Sequence, residues 1–216
     1  MTLGEVERAL APHRLAVMGA ATADHAGDLP DGVATLVMIG PAAADFWAHV
    51  TAQPEFHDTR PDPLDRWSTR VLNGVAADMG AAALFPFGGP PWHPFIGWAL
   101  ATGRAWVSPV GLLVHDTAGL FVSYRGALGF ARRFDLPATG ESPCATCATQ
   151  PCRNACPVYA LTPDGYDVPV CRAYLNRPQG RDCMDNGCAV RRACPVSATA
   201  RRTATQSAFH MQAFSR

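Results

Sequence analysis

Apolar positions along the first 130 residues fall either into short unbroken runs or into a helical 3.6-residue spacing, with polar, glycine and proline clusters between them. Thr2 stands three residues before Glu5, a spacing that predicts a capped short helix, and the run RLAVMGAAT from Arg14 then predicts a strand. After the turn residues DHAGDLPDG, the apolar run at residues 33–40 has the pattern of a strand buried on both faces. Pro41 suits a first helical position, so a helix is expected over AAADFWAHVTAQ. Asp62 and Pro63 open a longer helix through DRWSTRVLNGVAADMG, with Gly80 as its stop. AAALF reads as a strand and FIGWALATG as a short helix. VGLLVHD and LFVSYRGALGF read as two strands joined at Thr117, Ala118 and Gly119, a hairpin. QSAFHMQAF has the spacing of an amphipathic last helix, so core packing is expected of His210 and Met211 ahead of an axial-ligand role.

Cysteine changes this picture. All eight cysteines lie between residues 144 and 194, so the segregation marks a module. The first quartet is Cys144-x2-Cys147-x4-Cys152-x3-Cys156 and the second is Cys171-x11-Cys183-x4-Cys188-x5-Cys194, each followed by proline. Three chemistries use such thiols. A disulfide framework suits small secreted domains, and this chain begins without the form of a secretory signal, which makes the cytoplasm the expected location. Zinc takes four thiolates, usually as repeated short C-x2-C pairs, of which there is one here. A pair of [4Fe-4S] clusters uses the run C-x2-C-x2-C-x3-C-P, in which the fourth cysteine serves the other cluster. The first quartet departs from that run only by two added residues before Cys152, within ATQP at residues 148–151, expected as a small loop beside the cluster. On this spacing Cys144, Cys147, Cys152 and Cys194 would hold one cluster and Cys156, Cys171, Cys183 and Cys188 the other.

Charge fits the same reading. The chain has no net charge, yet residues 1–124 carry six Arg against twelve acids, and residues 144–216 carry nine Arg against four Asp. An excess of arginine around two anionic clusters is charge compensation, and these arginines are not interleaved with the stacking aromatics of a nucleic-acid surface. There is no lysine, which excludes a phosphate-loop lysine and Schiff-base chemistry. No apolar run approaches the roughly 18 residues of a membrane span. The stretch FPFGGPPWHPF, at residues 85–95, is too rich in proline and glycine for regular structure. Its aromatics suit either a wall for a flat ligand or a plug at the edge of a core.

The order SPVGLLVHDTAGLFVSYRGAL, a short DLP link and the two cysteine quartets resembles the corresponding half of epoxyqueuosine reductases and reductive dehalogenases, over residues 80–197. The resemblance implies an α+β chain: a nitroreductase-like cobalamin-binding domain over residues 1–140, then a two-cluster ferredoxin-type module with a C-terminal helix over residues 141–216. It implies clusters relaying electrons to a corrinoid or other flat cofactor, walled by Phe87, Trp92, His93, Trp98, Trp106 and Tyr124, with Arg125 beside Tyr124. The catalytic aspartate of epoxyqueuosine reductases has no counterpart in Pro91, Trp92, His93 and Pro94, nor does their lysine in GRAWVSPVG. Epoxide reduction is therefore not carried over, and His93 is the candidate proton donor in place of the acid. His115 beside Asp116 reads as a surface pair. The alternatives are an electron carrier that works with a redox partner protein and has no small-molecule chemistry, and a zinc-stabilised binding module.

Overall fold

The computed structural model describes residues 1–42, 45–162 and 165–215. In chain order the regular elements are helix α1 (Leu3–Leu10), strand β1 (Leu15–Thr22), the single turn α2 (Ala23–Ala26), β2 (Thr35–Pro41), α3 (Phe46–Thr51), α4 (Pro63–Met79), β3 (Ala82–Leu84), α5 (Phe95–Ala101), β4 (Ala105–Val107), β5 (Leu113–His115) and β6 (Gly126–Phe130). Two-residue strands β7 (Leu161–Thr162) and β8 (Gly165–Tyr166) come next, then α6 (Val168–Leu175), α7 (Arg181–Asn186), α8 (Ala189–Ala193) and α9 (Ala204–Ser215). The protein is of the α+β class. No helix among the described residues is long and apolar enough to cross a membrane.

The chain forms two compact units, residues 1–104 with 123–140, and residues 105–122 with 141–216. The segment 105–122 is a correction to the expected division at 140, because it groups with the cysteine-bearing residues and not with the rest of the front of the chain.

The first unit is built on an antiparallel sheet in the order β1-β2-β6-β3. Strand β2 pairs on both sides and is buried from Thr35 to Gly40, as its unbroken apolar run requires. Helix α4 presents Leu64, Trp67, Val71, Leu72 and Val75 inward at helical spacing and stops at Gly80, whose left-handed φ of 61° a glycine adopts without strain. Thr2 and Glu5 cap α1 reciprocally, as their spacing predicts.

Pro41 does not start a helix. It is the last residue of β2, opposite Leu15, and α3 begins at Phe46; Ala43 and Ala44 of the expected helix lie outside the described residues. An end-of-strand proline forfeits only an N–H, so the same residue suits either role.

The expected hairpin at residues 117–119 is also revised. Strand β5 pairs with β4, Ala105 opposite His115 and Val107 opposite Leu113, and residues 120–125 form no strand. Strand β6 joins β2 and β3 in the first unit instead. A turn does form at 115–119, closed by reciprocal 3.0 Å bonds between the His115 and Gly119 backbones. No ladder continues beyond it: the Leu120 N–H donates to Ser197 Oγ at 3.0 Å, and Arg191 donates to the Leu120 carbonyl. Side chains from the cysteine-bearing segment therefore satisfy the backbone that a second strand would have used.

Candidate metal centre

In the second unit, β4 and β5 are joined by a turn in which the Ser108 N–H donates to the Leu112 carbonyl at 2.8 Å and the Gly111 N–H to the Ser108 carbonyl at 3.0 Å. The β5 side supplies Val110, Val114 and Leu120 to an apolar group that also contains Cys152, Leu161, Val190 and Cys194, with Cys144, Cys156 and Cys188 packed against it. Gly119 lies so close to the Ser197 backbone that any side chain there would collide. Five of the eight cysteines are thus held in or against one apolar core.

All eight cysteines are free thiols. Cys144, Cys147, Cys152 and Cys194 line one cavity of about 370 Å³, so the last cysteine of the second quartet stands with the first three of the first. Residues 148–151 line the same cavity, which places the two added residues on its wall. Pro151 starts a single 3-10 turn through Asn154 that delivers Cys152, and Gln150 before it has a left-handed φ of 37°. Burial pushes the Cys144 thiol up, and the neighbouring Cys194 and Cys147 add to that. Burial does the same to Cys152, with Cys144, Cys194 and Cys147 close enough to add like-charge repulsion.

The other four form a second group. Burial raises the Cys171 thiol, and Cys188, Cys156 and Cys183 all reinforce the shift. Cys183 is raised by burial and lowered by the backbone N–H of Ala189. The Ala160 N–H donates to Cys156 Sγ at 3.2 Å. Strand β8 brings Tyr166 to this group, where burial and a hydrogen bond with Cys171 raise its phenol. The Tyr166 ring stacks on Phe214 of α9 at 6.0 Å, and the Arg172 guanidinium lies 5.3 Å over the same Phe214 ring while donating to the Phe214 carbonyl. Burial makes the Arg191 guanidinium easier to deprotonate, with Cys188 and Tyr166 opposing that shift. Among the described residues, no group of three or more His, Cys, Asp or Glu is placed to hold a single metal ion.

The remaining sequence candidates are dispersed. Trp98 is wholly buried in the first unit, with Nε1 donating to the Asp28 carbonyl at 3.3 Å, and His93 stacks on it at 5.2 Å. Phe87 stacks on Phe85 at 5.3 Å, and Trp92 is 63% exposed. Trp106 packs on the apolar group of the second unit and so belongs with the cysteines. Tyr124 and Arg125 precede β6 outside any strand. The Arg125 guanidinium pairs with Asp65 at 3.1 Å, and burial dominates both groups, lowering Arg125 and raising Asp65. His115 is not a surface residue: it is fully buried, its Nδ1 2.9 Å from Asp116 Oδ1 and 3.2 Å from the Thr117 amide. Helix α9 forms as expected, but its buried residues are Gln206 and Ser207, the latter packed against Gly187, while His210 and Met211 are both half-buried.

Sequence reasoning missed Ser108. It is buried, lines the cavity of Cys144, Cys147, Cys152 and Cys194, and its hydroxyl has no hydrogen-bond partner among the described residues. A lone serine in a turn gives no signal of this kind. No family model matches the chain, and neither does any curated protein or solved structure.

Proposed function

We propose that the chain is an iron-sulfur electron-transfer protein, with Cys144, Cys147, Cys152 and Cys194 holding one [4Fe-4S] cluster and Cys156, Cys171, Cys183 and Cys188 the other. The observation that carries this reading is the exchange between quartets: Cys194, the last thiol of the second quartet, lines one cavity with Cys144, Cys147 and Cys152 of the first, while Cys156 of the first stands near Cys171 together with Cys183 and Cys188. A cubane is several atoms wide, so its thiolates stand around a hollow, whereas a single zinc draws four sulfurs to about 2.3 Å from one point. The free thiols and the cavity favour the cluster over a disulfide framework or zinc. Bound there, each cluster would supply a one-electron reservoir.

The protein's own contribution is position and environment. Core packing holds five of the thiols, the Ala160 N–H reaches Cys156 Sγ, and Arg191 adds positive charge near Cys188. The carrier reading, with a redox partner protein as donor or acceptor, is favoured over relay to a corrinoid. Of the proposed wall residues, Trp98 is consumed by the core and Phe87 is stacked on Phe85. Cobalamin binding by residues 1–140 rests on the resemblance to epoxyqueuosine reductases alone.

The test is anaerobic purification with iron, sulfide, zinc and cobalt analysis. The expected result is about eight irons and eight sulfides per chain. One or two zincs without iron would overturn the reading, and retained cobalt would reinstate the corrinoid.

A further inference from the structure

Ser108 is held from both sides of its backbone, by the 2.8 Å bond of its N–H to Leu112 and the 3.0 Å bond that its carbonyl accepts from Gly111. Its position is therefore set by the β4–β5 turn and not by its side chain. The residue is 6% exposed, yet its hydroxyl finds no partner among the described residues. A buried hydroxyl is almost always satisfied, and an exception calls for a reason. The wall it shares holds Val114, Leu120 and Val196, whose side chains accept nothing, the polar side chains of Thr146, Thr149 and Gln150, none of which bonds to the Ser108 hydroxyl, and the four thiols of the first set. A neutral thiol is a weak acceptor, but a metal-bound thiolate or sulfide is a strong one.

We infer that Ser108 donates its hydroxyl hydrogen to a sulfur of the group held by Cys144, Cys147, Cys152 and Cys194, and so sets that group's reduction potential. The inference rests on the cluster reading above and adds a residue that is not a ligand. A donor to sulfur withdraws electron density from the irons and stabilises the more negative, reduced state, so the hydroxyl raises the potential. The role is positioning and tuning. It also explains why a hairpin without cysteine packs with the cysteine-bearing segments: residues 105–122 bring Ser108 to the cavity.

The experiment uses the full chain, reconstituted anaerobically, with iron and sulfide measured in every sample and an EPR-monitored redox titration against dithionite. The midpoint absent from a Cys152→Ala, Cys194→Ala double variant identifies the first site. Ser108→Ala is expected to lower that midpoint and leave the other unchanged, and Ser108→Thr, which keeps a hydroxyl, is expected to restore it. Resonance Raman gives a second readout: iron-sulfur stretching bands that shift in D2O in the unsubstituted protein shift less in Ser108→Ala. The proposal is overturned if both midpoints stay put, if both move together, or if the D2O shift is unaffected. Absence of iron from the unsubstituted chain is a different result, and it overturns the cluster reading itself.

Discussion

The assignment of Cys194 to the first cavity separates spatial grouping from sequence grouping, and paired substitutions read the difference directly. Cys152 and Cys194 are 42 positions apart but line one cavity, whereas Cys183 and Cys194 share a quartet and fall in different sets. Replacing Cys152 and Cys194 together by alanine removes two corners of one site and none of the other. Each cubane carries about four irons and four sulfides, so iron should fall from about eight to about four per chain. Replacing Cys183 and Cys194 together takes one corner from each site, and iron should fall below four with both EPR signals altered. Equivalently, Cys194→Ala should cost little further iron once Cys152 is gone and a full increment once Cys183 is gone, the non-additivity expected of groups acting in one site. Iron, acid-labile sulfide and visible absorbance after anaerobic reconstitution give the counts. The reverse pattern, with Cys183 and Cys194 sparing four irons and Cys152 and Cys194 sparing none, would refute the exchange between quartets.

The first unit offers two further checks. Trp98→Ala should destabilise the protein by about 3–5 kcal/mol, as for a large buried aromatic, while Trp92→Ala, at an exposed site, should stay within about 0.5 kcal/mol in urea unfolding; near-equal effects would contradict the core role of Trp98. Glu55 accepts a 2.5 Å bond from Arg70 that holds its carboxyl below the ordinary range, so the folded chain binds that proton less readily than the unfolded one. Stability should then be full above the ordinary glutamate value of about 4.3 and decline as pH falls through the lowered one. Because Arg70 is half exposed the effect is at most about 1 kcal/mol, and Glu55→Gln should flatten that part of a pH series of urea midpoints.

Local signals carried far where the governing interactions are local. The Thr2–Glu5 cap and the Gly80 stop are decided within a few residues, and the two-sided burial of β2 is decided by its own composition. The α+β class was legible for the same reason. The residues after Gly119 were not, because LFVSYR has the apolar pattern of a strand while its backbone partners, Ser197 and Arg191, lie some seventy residues away. His115 shows the same limit: a histidine beside an aspartate reads as a solvated pair, whereas the folded chain buries it fully, with the Thr117 and Ala118 amides donating to its Nδ1. For the cysteines, the spacing with proline endings predicts an exchange between the quartets, and Cys194 lines one cavity with Cys144, Cys147 and Cys152. The Ser108 hydroxyl became visible only when the cavity brought it to the thiols.

The segment 105–122 has a consequence for biosynthesis. The chain leaves the first unit after Arg104, makes the hairpin, and returns to lay down β6 inside the sheet before the cysteines are translated. The sheet can close once residue 130 has cleared the ribosome. Val110, Val114 and Leu120, by contrast, wait for Val190 and Cys194, about seventy residues further on, which at 5–20 residues per second is roughly 4–15 s. During that interval the nascent chain displays an apolar hairpin tethered to a finished sheet. The first cavity therefore receives its fourth thiol last, so a chain stalled before residue 194 would be sticky and, if the cavity holds a cluster as proposed, short of one ligand.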